Sequence, residues 1–238
     1  MKNIAIIIPT YNELENIENL ILEILKHVPN ATIFIVDDSK NQEIGKIIKR
    51  KKLNAKYFHR TKKSGRGSAV IYGFRKALDE NKYKAFIEMD ADFSHNPKEI
   101  PNNLNLFFKK KLDLLIASRY LKGSKIINWS LSRRILSKLS NILARNLLNI
   151  SLNDFTNGFR IYTPRAVQKI ISSCGNIGSG FIILSEIIIV IKNNKYNIRE
   201  VKTVFINRER GKSSVNLKLI IESLIGIIKL AIIKKKLK

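Results

Sequence analysis

The sequence has one cysteine, Cys174, together with five prolines, eleven glycines and one tryptophan in 238 residues. A single cysteine excludes a disulfide framework and any cysteine-rich zinc site, and it fits a reducing compartment. Acid is the scarcer charge: 19 Asp and Glu stand against 44 Lys and Arg, a formal net charge of +25. So basic a chain calls for an anionic partner, whether nucleic acid, lipid head groups or a phosphorylated substrate. Zinc-finger spacing and RNP aromatics set among basic residues are both missing, which argues against nucleic acid. Long apolar runs are missing too. Residues 4–8 meet Pro9 at once, too soon for the core of a secretory signal. A membrane-spanning helix needs about 20 mostly apolar residues. Residues 181–191 are broken by Glu186, and residues 217–233 by Lys218, Glu222 and Lys229. The expectation is a cytoplasmic chain, peripheral on the cytoplasmic face of a membrane.

What is present suffices for a core, since 45% of the residues are hydrophobic. Short apolar runs at 4–8, 32–36, 56–59, 85–89 and 112–118 predict strands, and amphipathic stretches at 13–27, 42–52, 68–81 and 97–109 predict helices between them. Alternation of this kind means an α/β fold with a mostly parallel sheet, covered on both faces, that binds ligands at the carboxyl ends of its strands. Further on the pattern predicts a helix over 129–149, a short extended segment at 159–162, a helix from Pro164, a strand over 198–206 and a closing helix over 217–233. The organisation expected is one globular unit over 1–215 and a basic amphipathic helix over 216–238. Polar positions in that helix, Lys218, Glu222, Gly226 and Lys229, form one narrow stripe. So apolar a helix is buried in protein or laid on a bilayer, where basic residues at its end gain about 1 kcal/mol each near anionic head groups.

Three strand ends carry the chemistry. Pro9-Thr10-Tyr11-Asn12-Glu13 closes the first, Asp37-Asp38-Ser39 the second, and Asp90-Ala91-Asp92-Phe93-Ser94-His95 the fourth. Aspartates two apart at a strand end can share one crevice and hold Mg²⁺ or Mn²⁺ bridged to a diphosphate. The same two residues would otherwise cap the helix near Pro97. A carboxylate after the second strand suits a nucleotide base or ribose. Gly65-Arg66-Gly67-Ser68 opens a helix but lacks the third glycine of a dinucleotide fingerprint, and no P-loop is present, which removes dehydrogenase and kinase readings. Two glycines there would still let a backbone approach a phosphate.

Taken with Ala117-Ser118-Arg119-Tyr120, with Asp154-Phe155-Thr156-Asn157-Gly158-Phe159-Arg160 and with Arg208-Glu209-Arg210-Gly211-Lys212-Ser213-Ser214, these motifs resemble, in order, the family 2 glycosyltransferases of GT-A fold, and within them the polyprenyl-phosphate subgroup that includes dolichol-phosphate mannose synthase. The resemblance covers about residues 4–215. It implies that Asp90, Asp92 and Ser94 bind Mg²⁺ or Mn²⁺, that Pro9, Tyr11, Glu13, Asp37, Asp38, Gly67 and Asp90 hold a nucleotide-sugar, and that Arg119, Arg133, Ser137 and Arg208 hold a lipid phosphate. Asp92, Arg119 and Arg208 would then carry catalysis. Arg133 and Ser137 share a helix face by their spacing. The partners expected are a nucleotide-sugar donor, a polyprenyl-phosphate acceptor, an anionic membrane surface and a membrane-protein partner, with no nucleic acid.

Two departures from the family pattern stand out: Ser39-Lys40-Asn41 follows the acidic pair in place of N-S-P-D, and Ile183-Leu184-Ser185-Glu186 replaces F-Q-x-E. The expected reaction is metal-dependent, inverting transfer of a hexose, mannose from GDP-mannose first. Alternatives are UDP-glucose or another UDP-sugar as donor, a saccharide acceptor served by Glu186 as base, and a basic membrane-surface module without activity.

Overall fold

The computed structural model describes residues 3–178, 180, 182–208 and 217–237. Strands β1 (Ile4–Thr10), β2 (Ala31–Asp37), β3 (Ala55–His59), β4 (Ala85–Glu88) and β5 (Leu114–Ser118) alternate with helices α1 (Leu14–His27), α2 (Glu43–Arg50), α3 (Arg66–Leu78) and α4 (Ile100–Lys109). Then follow β6 (Lys125–Ile127), α5 (Leu131–Leu148), β7 (Arg160–Tyr162), α6 (Pro164–Ser173), α7 (Ile182–Asn193), β8 (Ile198–Lys202), β9 (Val204–Ile206) and α8 (Leu217–Ile233). The main sheet runs β3-β2-β1-β4-β7-β5-β8. Only β7 is antiparallel to its neighbours, so the fold is the mostly parallel α/β one expected.

Successive side chains of a strand point to opposite faces. Ile4, Ile6 and Ile8 enter a core with Ile17, Ile21, Ile44 and Leu104, while Ala5 and Ile7 enter a second core with Phe74, Ile183 and Leu184. Both faces of β1 are thus buried, which is why its sequence is a continuous apolar run rather than an alternating one.

Two local features escape the sequence pattern. Residues 198–206 are not one strand. They break at Thr203, whose hydroxyl donates to Glu99 Oε2 at 2.6 Å while the next residue's N–H donates to Glu99 Oε1 at 2.9 Å. After the break β9 leaves the main sheet and pairs with β6, a three-residue strand too short to show a period. This small sheet carries Asn207 and Arg208 to the site. The second feature is β7, inserted between β4 and β5 with Arg160 opposite Glu88 and Ile116, which brings residues 154–159 beside the end of β4.

Helix α8 docks on the body through Ile227 and Leu230, both buried. Gly226 is not part of a solvent stripe: a Cβ there would collide with Ile182, so its glycine lets α8 approach α7. The other side of α8 exposes Ile225, Ile228 and Ile232.

Candidate active site

The carboxyl ends of β1, β2 and β4 meet in one cleft. Asp37 is fully buried, and its carboxylate accepts from Thr10 Oγ1 (3.0 Å), Ser39 N (3.0 Å), Ser39 Oγ (2.6 Å) and the Tyr57 hydroxyl (2.9 Å). With four donors from the chain, Asp37 ties β1 to β2 and shapes the loop. The neighbouring Asp38 takes a bidentate fork from Arg60, Nε and Nη2 each at 2.6 Å, plus the Ser64 N–H at 3.1 Å. Tyr11 is partly exposed, with the Lys63 ammonium 3.6 Å from its ring centre. Pro9 lies within β1. Gly67 is buried under α7: the space of its missing Cβ is filled by Ile183 and the Gly180 carbonyl, so the approach it permits is between chain segments.

In the acidic motif, neither aspartate caps the helix that follows. That cap is Asn96, whose Oδ1 accepts from Lys98 N at 3.0 Å. Asp92 is oriented by Ser94, whose N–H and hydroxyl donate to Oδ1 at 3.1 and 2.6 Å, and its Oδ2 meets Arg208 Nη2 at 2.7 Å. Ser94 is 2% exposed with its hydroxyl proton on Asp92. Its hydroxyl thereby orients Asp92. Between them Phe93 adopts a left-handed backbone, φ 59°, which costs a bulky residue roughly 1–3 kcal/mol and marks a loop held by its surroundings. Asp90 is partly exposed. Burial would raise its carboxyl, but the Arg66 guanidinium, helped by Arg208, brings it below the usual carboxylate value. Glu13 moves the other way: burial lifts it above its ordinary value despite Asn16 and Arg208.

Opposite the acids stand the arginines. Arg208 bridges Glu13 (3.2 Å) and Asp92. Arg133 donates to Asn207 Oδ1 at 3.0 Å and lies 4.2 Å over the Trp129 ring. Burial and then the charges of Arg119 and Arg208 lower its pKa. Arg119 is engaged: Nε and Nη2 fork onto Asp154, each at 2.8 Å, and Nη2 also reaches Thr156 Oγ1 at 2.6 Å. Ser137 accepts from the Tyr120 hydroxyl at 2.6 Å. The remainder of the last motif, residues 209–214, lies outside the described residues.

Several groups of the site lie beyond the sequence reading. Arg60, just after β3, and Arg66, at the start of α3, neutralise acids of the site, and only their sign, opposite to the strand-end acids, could have suggested it. His95 is 1% exposed and works as a strut. Its Nδ1 accepts from Asp90 N at 3.1 Å, which leaves Nε2–H to donate to Asn157 Oδ1 at 3.0 Å, and Asn157 Nδ2 donates to the Ala117 carbonyl. Buried Arg160 donates to three backbone carbonyls, of Asn157, Leu184 and Phe155. Glu186 is buried under the 174–176 turn, with Oε2 accepting from Gly175 N at 2.9 Å, away from the arginines.

The fold is that of the GT-A glycosyltransferases. Glucosyl-3-phosphoglycerate synthase from Mycobacterium tuberculosis, solved with Mn²⁺, UDP and phosphoglyceric acid, matches with a TM-score of 0.69 over 98% of this chain and 78% of that one, at 14% identity. The family model described as Glycosyl transferase family 2 matches residues 5–171, and the chain belongs to that family. It is similar to the polyprenol monophosphomannose synthase of Mycolicibacterium smegmatis, 34% identical over 89% of this chain and 80% of that protein. The undecaprenyl-phosphate mannosyltransferase of Micrococcus luteus is 31% identical over 93% and 90%. The dolichol-phosphate mannosyltransferase of Pyrococcus furiosus is 35% identical over 95% of this chain and 63% of its own length.

Proposed function

We propose that this glycosyltransferase moves a hexose, mannose from GDP-mannose first, onto a polyprenyl phosphate with inversion at the anomeric carbon. The observation that carries the reading is the division of the site: strand-end carboxylates on one side of Arg208, and on the other the Arg133–Arg208 pair backed by Arg119, with Arg133 on a helix whose outer face is apolar. Relatives similar over most of the chain are named for mannosyl transfer to polyprenyl-type phosphates.

A divalent ion fits the donor side. Asp90 and Asp92 are hard oxygen donors at a strand end. An ion of the Mg²⁺ or Mn²⁺ type would be held there by one or two carboxylates, with water and the diphosphate completing its oxygen ligands. When bound it neutralises the leaving diphosphate. Tyr11, Glu13 and Asp38 line the nucleotide end. Arg133 and Arg208 orient the acceptor phosphate through guanidinium forks, Arg208 exchanging its contact with Asp92 for one with phosphate. The phosphate needs no general base, since its second pKa is about 6 and it is mostly dianionic at neutral pH. One phosphate oxygen forms the new bond to the anomeric carbon as the bond to the diphosphate breaks, and the nucleoside diphosphate leaves.

The lipid acceptor places the site at a membrane surface. On α5, Leu131, Ile135, Leu139 and Ile142 are 73, 50, 57 and 44% exposed, beside the outward Ile225, Ile228 and Ile232 of α8. A contiguous apolar face of this kind marks an interaction surface. Arg134, Lys138, Lys229 and Lys234–Lys236 flank it, which suits an anionic bilayer. Among the described residues no helix is long and apolar enough to cross a membrane.

The test is a transfer assay with a short-chain polyprenyl phosphate and labelled GDP-mannose or UDP-glucose, each with Mg²⁺, Mn²⁺ or EDTA. Label should enter the lipid from GDP-mannose and be lost with EDTA. Transfer from UDP-glucose alone would replace the donor, and a retained anomeric configuration would refute the single displacement.

A further inference from the structure

We propose that Arg66 is the positioning residue for Asp90: its guanidinium takes one carboxylate oxygen and leaves the other facing the cleft for the cation. The inference rests on the reading that Asp90 and Asp92 hold a divalent ion.

Arg66 is the first residue of α3, and Gly65 before it turns the chain with φ 89°. Its Nε and Nη2 both lie 2.7 Å from Asp90 Oδ1, and its Nη1 lies 2.5 Å from Glu88 Oε1. Glu88 is fully buried on β4 and cannot swing away, because its Oε2 accepts from the Tyr162 hydroxyl at 2.8 Å. The guanidinium also occupies the space a Cβ at residue 158 would need, so Gly158 keeps its slot open. Helix α3, strand β4 and the loop before β7 thus clamp one planar group. The Asp90 side chain is 26% exposed while that of Arg66 is 13% exposed. Its Oδ2 has His95 Nε2 at 3.9 Å, beyond hydrogen-bond reach.

The sign of the effect follows from the charges. A lone guanidinium behind a metal ligand would repel a divalent ion. Here Glu88 is salt-bridged to it, so the pair is nearly neutral at the distance of the ion. What survives is the short charge-assisted hydrogen bond from Arg66 Nε to Asp90 Oδ1, which holds that oxygen in place. Groups that orient a metal ligand in this way change metal affinity by about ten- to a hundredfold when lost. Asp92 has its own orienting group in Ser94, so the two aspartates are held by independent devices.

The experiment is a Mn²⁺ titration of the full chain followed by electron paramagnetic resonance, with GDP and with UDP present. Arg66→Met combined with Glu88→Gln removes both charges of the buried pair and keeps an acceptor for Tyr162. We expect Mn²⁺ binding weakened about tenfold or more, with the melting temperature nearly kept, and part of the affinity retained in Arg66→Lys. A purely structural Arg66 would lower the melting temperature and leave the Mn²⁺ affinity of the folded fraction unchanged. Affinity within twofold of wild type in the double variant, while Asp92→Asn abolishes binding, overturns the role of Arg66 and leaves the metal reading standing. No Mn²⁺ binding by the wild type overturns both.

Discussion

The two halves of the site are built by opposite strategies. On the proposed donor side, the aspartates sit at the ends of strands in the first hundred residues, where residues of their own loops (Ser39 to Asp37, Ser94 to Asp92) and arginines that follow β3 (Arg60 to Asp38, Arg66 to Asp90) hold them. On the acceptor side, Arg119, Arg133 and Arg208 come from three distant segments. They are held by long-range contacts with Asp154, Asn207 and Glu13. The donor side is therefore a property of a topology that any strand order of this type delivers. The acceptor side depends on β7, on β9 and on the break at Thr203, all placed by packing. Where the halves touch, through Asp92 and Arg208 and through the His95–Asn157 strut, charge and geometry pass from one to the other.

Breaking the acidic half should cost most. Asp92→Ala removes a carboxylate of the proposed ion site, and electrostatic stabilisation of this kind amounts to several kcal/mol, so transfer should fall at least about a hundredfold. Full activity in that variant would remove Asp92 from the mechanism. Breaking the basic half should be milder and differently distributed. Arg133→Ala loses a charge-assisted contact of about 1.5–3 kcal/mol, roughly ten- to a hundredfold, read mainly as a higher KM for the polyprenyl phosphate with the KM for the nucleotide-sugar little changed. A rise in the donor's KM instead would reverse the assignment of the halves.

The seam is tested by Asn157→Ala. It orphans the His95 Nε2–H and the Ala117 carbonyl, both buried, at about 1–3 kcal/mol each. Chemical denaturation should show that loss, and Mn²⁺ binding at Asp90 should weaken with it. A variant as stable as wild type would show that the strut contributes nothing. For the outer face of α5, Ile135→Glu with Leu139→Glu should reduce co-sedimentation with anionic vesicles, leaving the melting temperature within a few degrees because both side chains are exposed. Unchanged vesicle binding would move the membrane contact elsewhere.

The smallest effect concerns Glu186, outside both halves. Burial raises its carboxyl above the ordinary value. The folded state then keeps the proton to higher pH than the unfolded chain does. The stability this contributes is complete below the unfolded value and is lost as pH rises through the folded value. Glu186→Gln removes that loss, so its melting temperature relative to wild type should climb as pH rises from the ordinary carboxylate range towards neutrality. A flat difference across that range would show that Glu186 keeps its charge when buried. Loss of transfer in Glu186→Gln with transfer retained in Arg133→Ala would instead favour a saccharide acceptor.

Much of the donor side was legible because a buried parallel strand leaves an unmistakable apolar run, and the first polar residues after it must face the cleft. That rule alone puts Asp38, Asp90 and Asp92 at strand ends. Other residues carried the right position and a different task. Asp37 is engaged by Thr10, Ser39 and Tyr57, Ser94 donates to Asp92, and Gly67 lets α3 pack against α7. Arg119 lies in the predicted cluster, yet its fork belongs to Asp154. A motif reports where a residue stands and not which neighbour claims its polar atoms.

The sequence by itself determined the α/β alternation, the strand ends that carry acid, the excess of basic charge and the membership of a family, because these rest on local period and on residue order. Tertiary structure alone decided that β7 enters antiparallel between β4 and β5, that the segment after β8 changes sheets at Thr203, and that Arg66 reaches Asp90 and Glu88. It also decided which face of α5 stays apolar and open. These are contacts between segments tens to hundreds of residues apart, chosen by which buried charges and hydrogen-bonding groups can be satisfied together, and no local pattern records that choice.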